Sequence, residues 1–238
     1  MQYRKVGSAE SLWVTHNVLQ TGSTNVAMQW AQIDVTGGTV ATTPVQQGFH
    51  RPDTTLHRWM GSIAADNQGN VALGYSTSNG TAPNYPSIKY VGRLVGDPVN
   101  TLPQTETQLV AGAGSQTNTC GGGACARWGD YSAMSVDPVD DCTFWYTNQY
   151  YSSQANGTAG NWQTRIGSFK FPNCTPLAVT LADFHAAEAG DAILVSWETV
   201  SEATNQGFNL YRNTTSEPVG ELLAYVPSQA PGLSLIHI

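Results

Sequence analysis

Arginines are the residues whose type and spacing point most directly to chemistry in this sequence. Arg58 recurs as Arg127, each followed by tryptophan, and Arg93 recurs as Arg165, in both cases about 70 residues further along the chain. A guanidinium group pairs bidentately with a carboxylate, so arginines that open into a shared mouth would hold an acidic ligand. A recurring arginine beside tryptophan also suits an architectural role, paired with a neighbouring carboxylate or stacked on the ring. We favour the architectural role, and both interpretations remain open.

The elements that must position these arginines are β-strands. In the segment 70–76 the large side chains of Val71, Leu73 and Tyr75 alternate with Ala72 and Gly74, which predicts a strand packed on both faces. Similar segments separated by turn signals predict strands at 11–19, 25–35, 40–49, 60–66, 87–94, 105–112, 131–137, 142–149 and 164–171. No segment of helical period occurs before residue 176. The predicted fold class is therefore all-β.

These strands form an internal repeat of about four strands. Each copy begins at an Arg-Trp pair, continues through a strand that ends at Asp66 or Asp137, and then has a turn and further strands. A four-stranded antiparallel unit that recurs at this length is typical of a β-propeller blade with long loops. Residues 1–174 would contain about two and a half such blades, with 11–49 as the last three strands of the first. Because a closed propeller needs roughly four to eight blades, we expect a partial propeller with an exposed hydrophobic sheet face.

The pattern changes after residue 174. Strands at about 177–185, 191–198 and 206–212 carry Trp197 on the second strand and Tyr211 on the third, and both are core candidates. This arrangement suits an immunoglobulin-like β-sandwich, which is incomplete because residues 175–231 are far fewer than the roughly 100 of a whole sandwich. Residues 232–238 do not continue the pattern, and we interpret them as a non-native tail.

Composition narrows the classes of function. The 238 residues include 10 Lys or Arg and 17 Asp or Glu, so the formal net charge is −7. No basic patch exists to neutralise phosphates, and nucleic-acid binding is not expected. No apolar run approaches the ~20 residues of a membrane-spanning helix, so no membrane span is expected.

The four cysteines indicate an oxidising compartment. Cys120 and Cys125 bracket a triple glycine and would staple a short hairpin, whereas Cys142 and Cys174 lie beside apolar stretches and would join neighbouring strands. The even count and the low charge predict a secreted or cell-surface protein. No signal peptide begins the chain, and we expect that the natural N-terminus lies further upstream.

Two longer motifs resemble a known class of proteins. Arg127-Trp-Gly-Asp-Tyr-Ser-Ala-Met-Ser-Val-Asp-Pro138, with Phe144-Trp-Tyr-Thr-Asn148 behind it, resembles secreted bacterial β-propellers of the sialidase-like, BNR-repeat class. Many of those proteins carry C-terminal fibronectin type III-like modules, which residues 176–231 resemble. The resemblance covers about residues 1–174 for the propeller.

Sialidase-like catalysis, which the resemblance implies, needs arginines for a carboxylate, a tyrosine nucleophile activated by a glutamate, and an acid. Arg58 and Arg127 would line the mouth, Tyr131 would be the nucleophile, and Asp130 would be the acid. The activating base is not identified, since Glu10 and Glu106 are the only glutamates before residue 174 and neither lies in an arginine-rich motif.

Other residues are candidates for binding ligands or cations. Arg93, Arg165 and Trp128 are candidate ligand-binding residues, although such tryptophans more often pack between blades than stack on sugar rings. Neither the cysteines nor the histidines have the spacing of a metal site, and no cofactor is predicted. A weak alternative is calcium, bound by the carboxylates of Asp137, Asp140 and Asp141.

Three hypotheses follow for the function. The preferred one is a secreted β-propeller that recognises an extracellular glycan or protein ligand without proven catalysis, followed by a spacer module. The second is a sialidase-like glycoside hydrolase, and the third is a structural component of the cell surface.

Overall fold

The regular secondary structure of the described residues is almost entirely β-strand. A computed structural model describes residues 1–6, 8–116, 119–120, 123–124, 128, 131–153, 162–175, 180–201, 207–213, 220–227 and 233–237. Strands are the main regular structure in these ranges, and the only helical element there is a 3₁₀ turn at Thr36–Gly38. The all-β fold class predicted from alternation is confirmed. None of the described residues forms a helix with the length and apolar character that crossing a membrane requires.

The chain divides into two compact units. The first consists of residues 1–137 and 142–175, and the second of residues 138–141 and 176–238. The described part of the first unit contains three sheets of three or four strands and one short hairpin, and none of these sheets closes on itself.

The first sheet is an antiparallel meander of four strands. They are β1 (Gln2–Val6), β2 (Ala9–Leu19), β3 (Val26–Asp34) and β4 (Gln46–His50), and each pairs with the next. The sequence pattern does not predict β1, so this sheet has one strand more than expected. β4 is shorter than the predicted strand 40–49 and begins after Pro44, which has no backbone N–H to donate to a strand ladder.

The second sheet is also a four-stranded meander and lies against the first. Its strands are β5 (His57–Ala65), β6 (Val71–Ser78), β7 (Ser87–Arg93) and β8 (Thr107–Val110). Leu73 and Tyr75 of β6 pack in one cluster with Trp13 and Trp30 of the first sheet, and all four are at most 3% exposed. The predicted alternation in β6 therefore places its large side chains in the core between these two sheets.

The other face of the second sheet packs on a third sheet. After the short hairpin of β9 (Thr119–Cys120) and β10 (Gly123–Ala124), this sheet contains β11 (Ala133–Val136), β12 (Phe144–Tyr150) and β13 (Gln163–Phe169). Ala72 shares a buried cluster with Phe144 and Tyr146. A Cβ added to Gly74 would lie 2.5 Å from the Tyr146 ring, so only glycine fits between these sheets here.

Hydrogen bonds join the second and third sheets at a constant interval in the sequence. Ser132 Oγ donates to the Met60 carbonyl, and Asn148 Nδ2 donates to Ser76 Oγ, in each case between residues 72 apart. The backbone N–H of Met134 donates to Ser62 Oγ across the same interval. Residues 72 apart therefore occupy equivalent places in these two sheets.

A disulfide bond fastens the third sheet. Cys142 directly precedes β12 and Cys174 follows β13, and the predicted bond between them is present with a Cα–Cα distance of 5.6 Å. Both cysteines are buried. The predicted Cys120–Cys125 bond involves Cys125, which lies outside the described residues, so this pairing stays a prediction.

The second unit contains two small antiparallel sheets. One consists of β14 (Thr180–Ala189), β15 (Ala192–Ser201) and β18 (Leu233–His237), and the other of β16 (Gly207–Arg212) and β17 (Glu221–Pro227). The first three predicted strands correspond to β14, β15 and β16. The pattern does not predict β17, nor β18 in the segment interpreted as a non-native tail, whose origin stays a prediction.

Trp197 and Tyr211 were both predicted to lie in the core of the second unit, and the prediction is wrong for Tyr211. Trp197 is 3% exposed and packs edge-on against Phe208, with ring centroids 5.3 Å apart. Tyr211 is 49% exposed. Alternation in β16 turns Phe208 and Leu210 inward, and Tyr211 therefore points to the opposite side of the strand.

Candidate functional site

Arg58, a predicted catalytic residue, is buried inside an ion network. It lies near the start of β5, and its side chain is 0% exposed. Its Nε donates to Glu106 Oε2 at 2.8 Å, its Nη2 to Asp53 Oδ2 at 2.5 Å, and its Nη1 to the Leu56 carbonyl at 3.3 Å. All three guanidinium nitrogens are thus bonded to the protein, and this side chain is not presented to a ligand.

Glu106 is the centre of this network. Besides the hydrogen bond from Arg58, it accepts hydrogen bonds from Lys89 Nζ at 2.7 Å and from the Tyr75 hydroxyl at 2.8 Å. His50 Nε2 lies 3.3 Å from Glu106 Oε2. We call the six side chains the Glu106 cluster: His50, Asp53, Arg58, Tyr75, Lys89 and Glu106. Two cations face two carboxylates in this cluster, so its formal charges balance without a ligand.

Tyr75 and Glu106 form the pair of residue types that the nucleophile and base of a sialidase-like enzyme require, but their acidities do not suit that chemistry. Burial raises the pKa of Tyr75 well above its usual value, and the neighbouring Glu106 charge adds to this effect. Burial opposes ionisation of Glu106, but hydrogen bonds from His50, Arg58 and Lys89 outweigh it and hold the Glu106 pKa far below its usual range. A proton would therefore stay on Tyr75, which is also 0% exposed.

The remaining predicted catalytic residues are not assembled in the described part of the chain. Tyr131, the predicted nucleophile, is 90% exposed. Arg127 and Asp130 lie outside the described residues. The described contacts of Arg58 all lead to the Glu106 cluster and its loop, so the convergence of Arg58, Arg127 and Tyr131 stays a prediction.

Trp128 and Arg165 occupy different environments. The Trp128 ring packs edge-on against Trp59, with centroids 5.1 Å apart, and lies 5.7 Å from the Tyr151 ring. The two repeated tryptophans therefore contact each other. Arg165 is exposed on β13, opposite Asn148.

The register shows that Arg93 and Arg165 are not equivalent. Asn148 corresponds to Ser76, since these residues lie 72 apart and are hydrogen-bonded. Asn148 pairs with Arg165, whereas Ser76 pairs with Ile88. The connection between β12 and β13 is longer than that between β6 and β7, so the interval between the two arginines does not mark one repeated position.

Arg93 is buried and has no carboxylate partner among the residues that the structure describes. It ends β7 and is 3% exposed. Its Nη2 donates to the Asp97 carbonyl at 2.7 Å, and its Nε has no hydrogen-bond partner among the described residues. Burial lowers the pKa of Arg93, and the charge of Asp97 opposes this effect only in part.

Arg93 lines a cavity of about 320 Å³ between the first and second sheets, which we call the Arg93 pocket. Arg4 of β1 contributes a second guanidinium to the lining. No Asp or Glu is among the described residues that line it, which are Arg4, Val6, Ala9, Ser11, Trp13, Gln32, Gln46, Ala65, Gln68, Gly69, Arg93, Val95 and Val99. The pocket therefore combines cations, neutral polar groups and an apolar wall.

Glutamine side chains link the polar part of this lining. Gln46 Nε2 donates to Gln32 Oε1 at 2.7 Å, and Gln32 Nε2 donates to Ser11 Oγ at 2.8 Å. Gln46 is 6% exposed, and its Oε1 accepts no hydrogen bond from the described residues. Sequence reasoning identified Arg93 but missed Arg4 and these glutamines, since β1 was not predicted and amide side chains carry no motif.

No metal centre is evident in the described part of the chain. No three His, Cys, Asp or Glu residues that the structure describes are grouped to hold a metal ion. Asp66 has the role of a turn residue, because its Oδ1 accepts the backbone N–H groups of Gln68 and Asn70 at 2.9 Å. Asp137 Oδ2 accepts a hydrogen bond from Trp145 Nε1 at 2.9 Å.

Comparisons with known proteins identify no relative. No family model, no curated protein and no solved structure matches this chain.

Proposed function

We propose that this protein is an extracellular recognition protein that binds a glycan or protein ligand and performs no catalysis at the Glu106 cluster. The observation that carries the proposal is the Arg93 pocket, which lies between two sheets. It places a buried guanidinium, without an ion-pair partner in the described part of the chain, against polar and apolar groups. Ligand sites are typically concave and apolar, with a few polar groups that orient the ligand.

The proposed architecture is a set of consecutive propeller blades. Three antiparallel meanders lie face to face, and the second and third are joined by hydrogen bonds at the constant interval of 72 residues. Sheets related by a regular repeat and packed on both faces are what radial blades require. Trp145 and Ile166, on the face of the third sheet directed away from the second, are 41% and 66% exposed, which suits a face that a further blade covers.

The absence of catalysis is argued from the Glu106 cluster. A sialidase-like mouth requires arginines that are open to substrate, whereas Arg58 is fully buried and bonded to Glu106 and Asp53. The second unit, with its fibronectin type III-like strand pattern, is proposed as a spacer module. The Cys142–Cys174 bond supports a secreted or cell-surface location, because disulfides persist in oxidising compartments.

The test is a glycan array probed with the labelled full chain, followed by the variants Arg93→Gln and Arg165→Gln. We expect binding that Arg93→Gln weakens and that Arg165→Gln leaves unchanged, because Arg165, although a candidate ligand-binding residue by sequence, is not among the described residues that line the Arg93 pocket. An array of extracellular proteins forms the second arm. No specific binding on either array would contradict the proposal, and release of a fluorophore from a sialoside would favour the hydrolase instead.

A further inference from the structure

The geometry points to a small ligand that carries one carboxylate and several hydroxyl groups, such as a single acidic sugar residue, as the occupant of the Arg93 pocket. This inference deepens the proposed function and rests on it. Three properties of the lining carry it: an unsatisfied buried donor, a local charge suited to a monoanion, and an unsatisfied buried acceptor.

The unsatisfied donor is Arg93 Nε. Buried N–H groups are almost always paired, and a buried N–H without a partner destabilises the protein. Arg93 is only 3% exposed to solvent. Its Nη2 is occupied by the Asp97 carbonyl, and its Nε–H has no hydrogen-bond partner among the described residues. A carboxylate oxygen is the acceptor that a guanidinium pairs with most strongly.

The charge around the pocket suits a monoanion. Arg4 and Arg93 both line it, and no carboxylate is among its described lining residues. Each arginine interacts with an aspartate outside the lining: the Arg4 charge lowers the pKa of Asp66, although burial of Asp66 raises it more, and the Asp97 charge acts on Arg93. The two cations are thus already partly compensated, and a dianionic phosphate would be less well neutralised than a carboxylate.

The unsatisfied acceptor indicates hydroxyl groups on the ligand. Gln46 Oε1 is buried and has no donor among the described residues, and Gln46, Gln32 and Ser11 form one hydrogen-bonded chain along the lining. A ligand hydroxyl donates to such an oxygen. The volume of about 320 Å³ lies at the lower end of ligand pockets, so the pocket suits one sugar ring rather than a long oligosaccharide.

The experiment is an isothermal titration of the full chain with four probes. Methyl β-D-glucuronide represents a glycan residue, D-gluconate represents a free open-chain acid, and methyl β-D-glucoside and D-glucose 6-phosphate are the neutral and dianionic controls. We expect saturable binding of at least one of the two carboxylates, with the neutral glucoside and the phosphate at least about tenfold weaker, the loss that one charge-assisted hydrogen bond supplies. Preference for the glucuronide would identify a glycan as the source, and preference for gluconate would identify a free acid.

Variants test the same inference independently. Arg93→Gln and Arg4→Gln are each expected to weaken carboxylate binding about tenfold or more, and Arg165→Gln is expected to have no effect. Far-ultraviolet circular dichroism confirms folding, and the probe series on the unchanged protein does not depend on any variant. Equal affinity for glucoside and glucuronide, tighter binding of the phosphate, absence of saturable binding, or an equal effect of Arg165→Gln would overturn the inference.

The result also separates this inference from the proposed function. A glycan or protein ligand that binds the array equally well in the Arg93→Gln variant would support recognition and overturn the carboxylate pocket. Saturable binding of glucuronide or gluconate without any binding on the arrays would support the carboxylate pocket and contradict the proposed recognition function.

Discussion

Two buried arginines of the second sheet, Arg58 and Arg93, show how one residue type serves opposite purposes. They lie near opposite ends of the interface with the first sheet. Ala65, which lines the Arg93 pocket, follows Arg58 along β5 by a rise of about 20 Å. Arg58 is 0% and Arg93 3% exposed. Burial alone therefore does not distinguish them.

Their partners distinguish them. Arg58 bonds to the carboxylates of Glu106 and Asp53, and these hydrogen bonds raise its pKa even though burial acts in the opposite direction. Arg93 has a backbone carbonyl instead, and burial lowers its pKa. The first arrangement holds loops and strands together, whereas the second leaves a cationic donor available beside a cavity. The comparison teaches that an arginine's function follows from its acceptors rather than from its place in a repeat.

The largest expected effect is that of Arg58→Met. The substitution keeps most of the volume but leaves the Glu106 and Asp53 carboxylates without the guanidinium that they share, so we expect the free energy of unfolding to fall by about 3–5 kcal/mol. Urea unfolding followed by tryptophan fluorescence measures this change. A loss below about 1 kcal/mol, typical of exposed ion pairs, would show that the Glu106 cluster has no structural role.

Removal of the central carboxylate is the next test. Glu106→Gln retains the shape of the side chain but removes the charge that Arg58 and Lys89 contact, and we expect a loss of about 2–3 kcal/mol. Glu10→Gln is the matched control, because Glu10 pairs only with the exposed Lys5 at 3.2 Å among the described ion pairs. A loss under about 1 kcal/mol is expected for the control. Equal losses for the two variants would refute the contrast between buried and exposed pairs.

Acid is also expected to lower the free energy of unfolding, because it protonates the carboxylates of the Glu106 cluster. Hydrogen bonds to Arg58 and the backbone lower the pKa of Asp53 against the opposing effect of burial, and the Glu106 pKa is also lowered. Both carboxylates therefore stabilise the fold above their unfolded pKa values of roughly 4, and this contribution is lost as the pH falls below that range. Thermal unfolding between pH 7 and pH 2 measures the loss. Glu106→Gln should show a smaller acid-induced decrease, and an unchanged decrease would locate the sensitivity elsewhere.

The smallest effect is expected for Arg93→Met. This substitution removes a buried charge that has no ion pair among the described residues, so the free energy of unfolding should change by at most about 1 kcal/mol in either direction. The same urea experiment compares it directly with Arg58→Met. A loss as large as that of Arg58→Met would mean that Arg93 is structural and would remove the contrast between the two arginines.

Much of the strand pattern could be predicted from the sequence, but the candidate site could not. Val71, Leu73 and Tyr75 alternate with small residues, and this local pattern correctly predicted β6 with both faces buried. β1 was missed, because a short strand with charged side chains has no clear period. The apparent equivalence of Arg93 and Arg165 was misleading, since a longer connection before β13 shifts the register.

The sequence by itself determined the all-β character, most strand positions and the Cys142–Cys174 bond, because alternation and cysteine placement beside apolar strands are local properties of the chain. Only the tertiary structure decided which arginine meets a carboxylate. Glu106 lies 48 residues from Arg58, and Arg4 reaches the pocket of Arg93 from the first strand of another sheet. These contacts depend on the packing of whole sheets, because the partner of a buried charge is chosen by distance in space and not by distance along the chain.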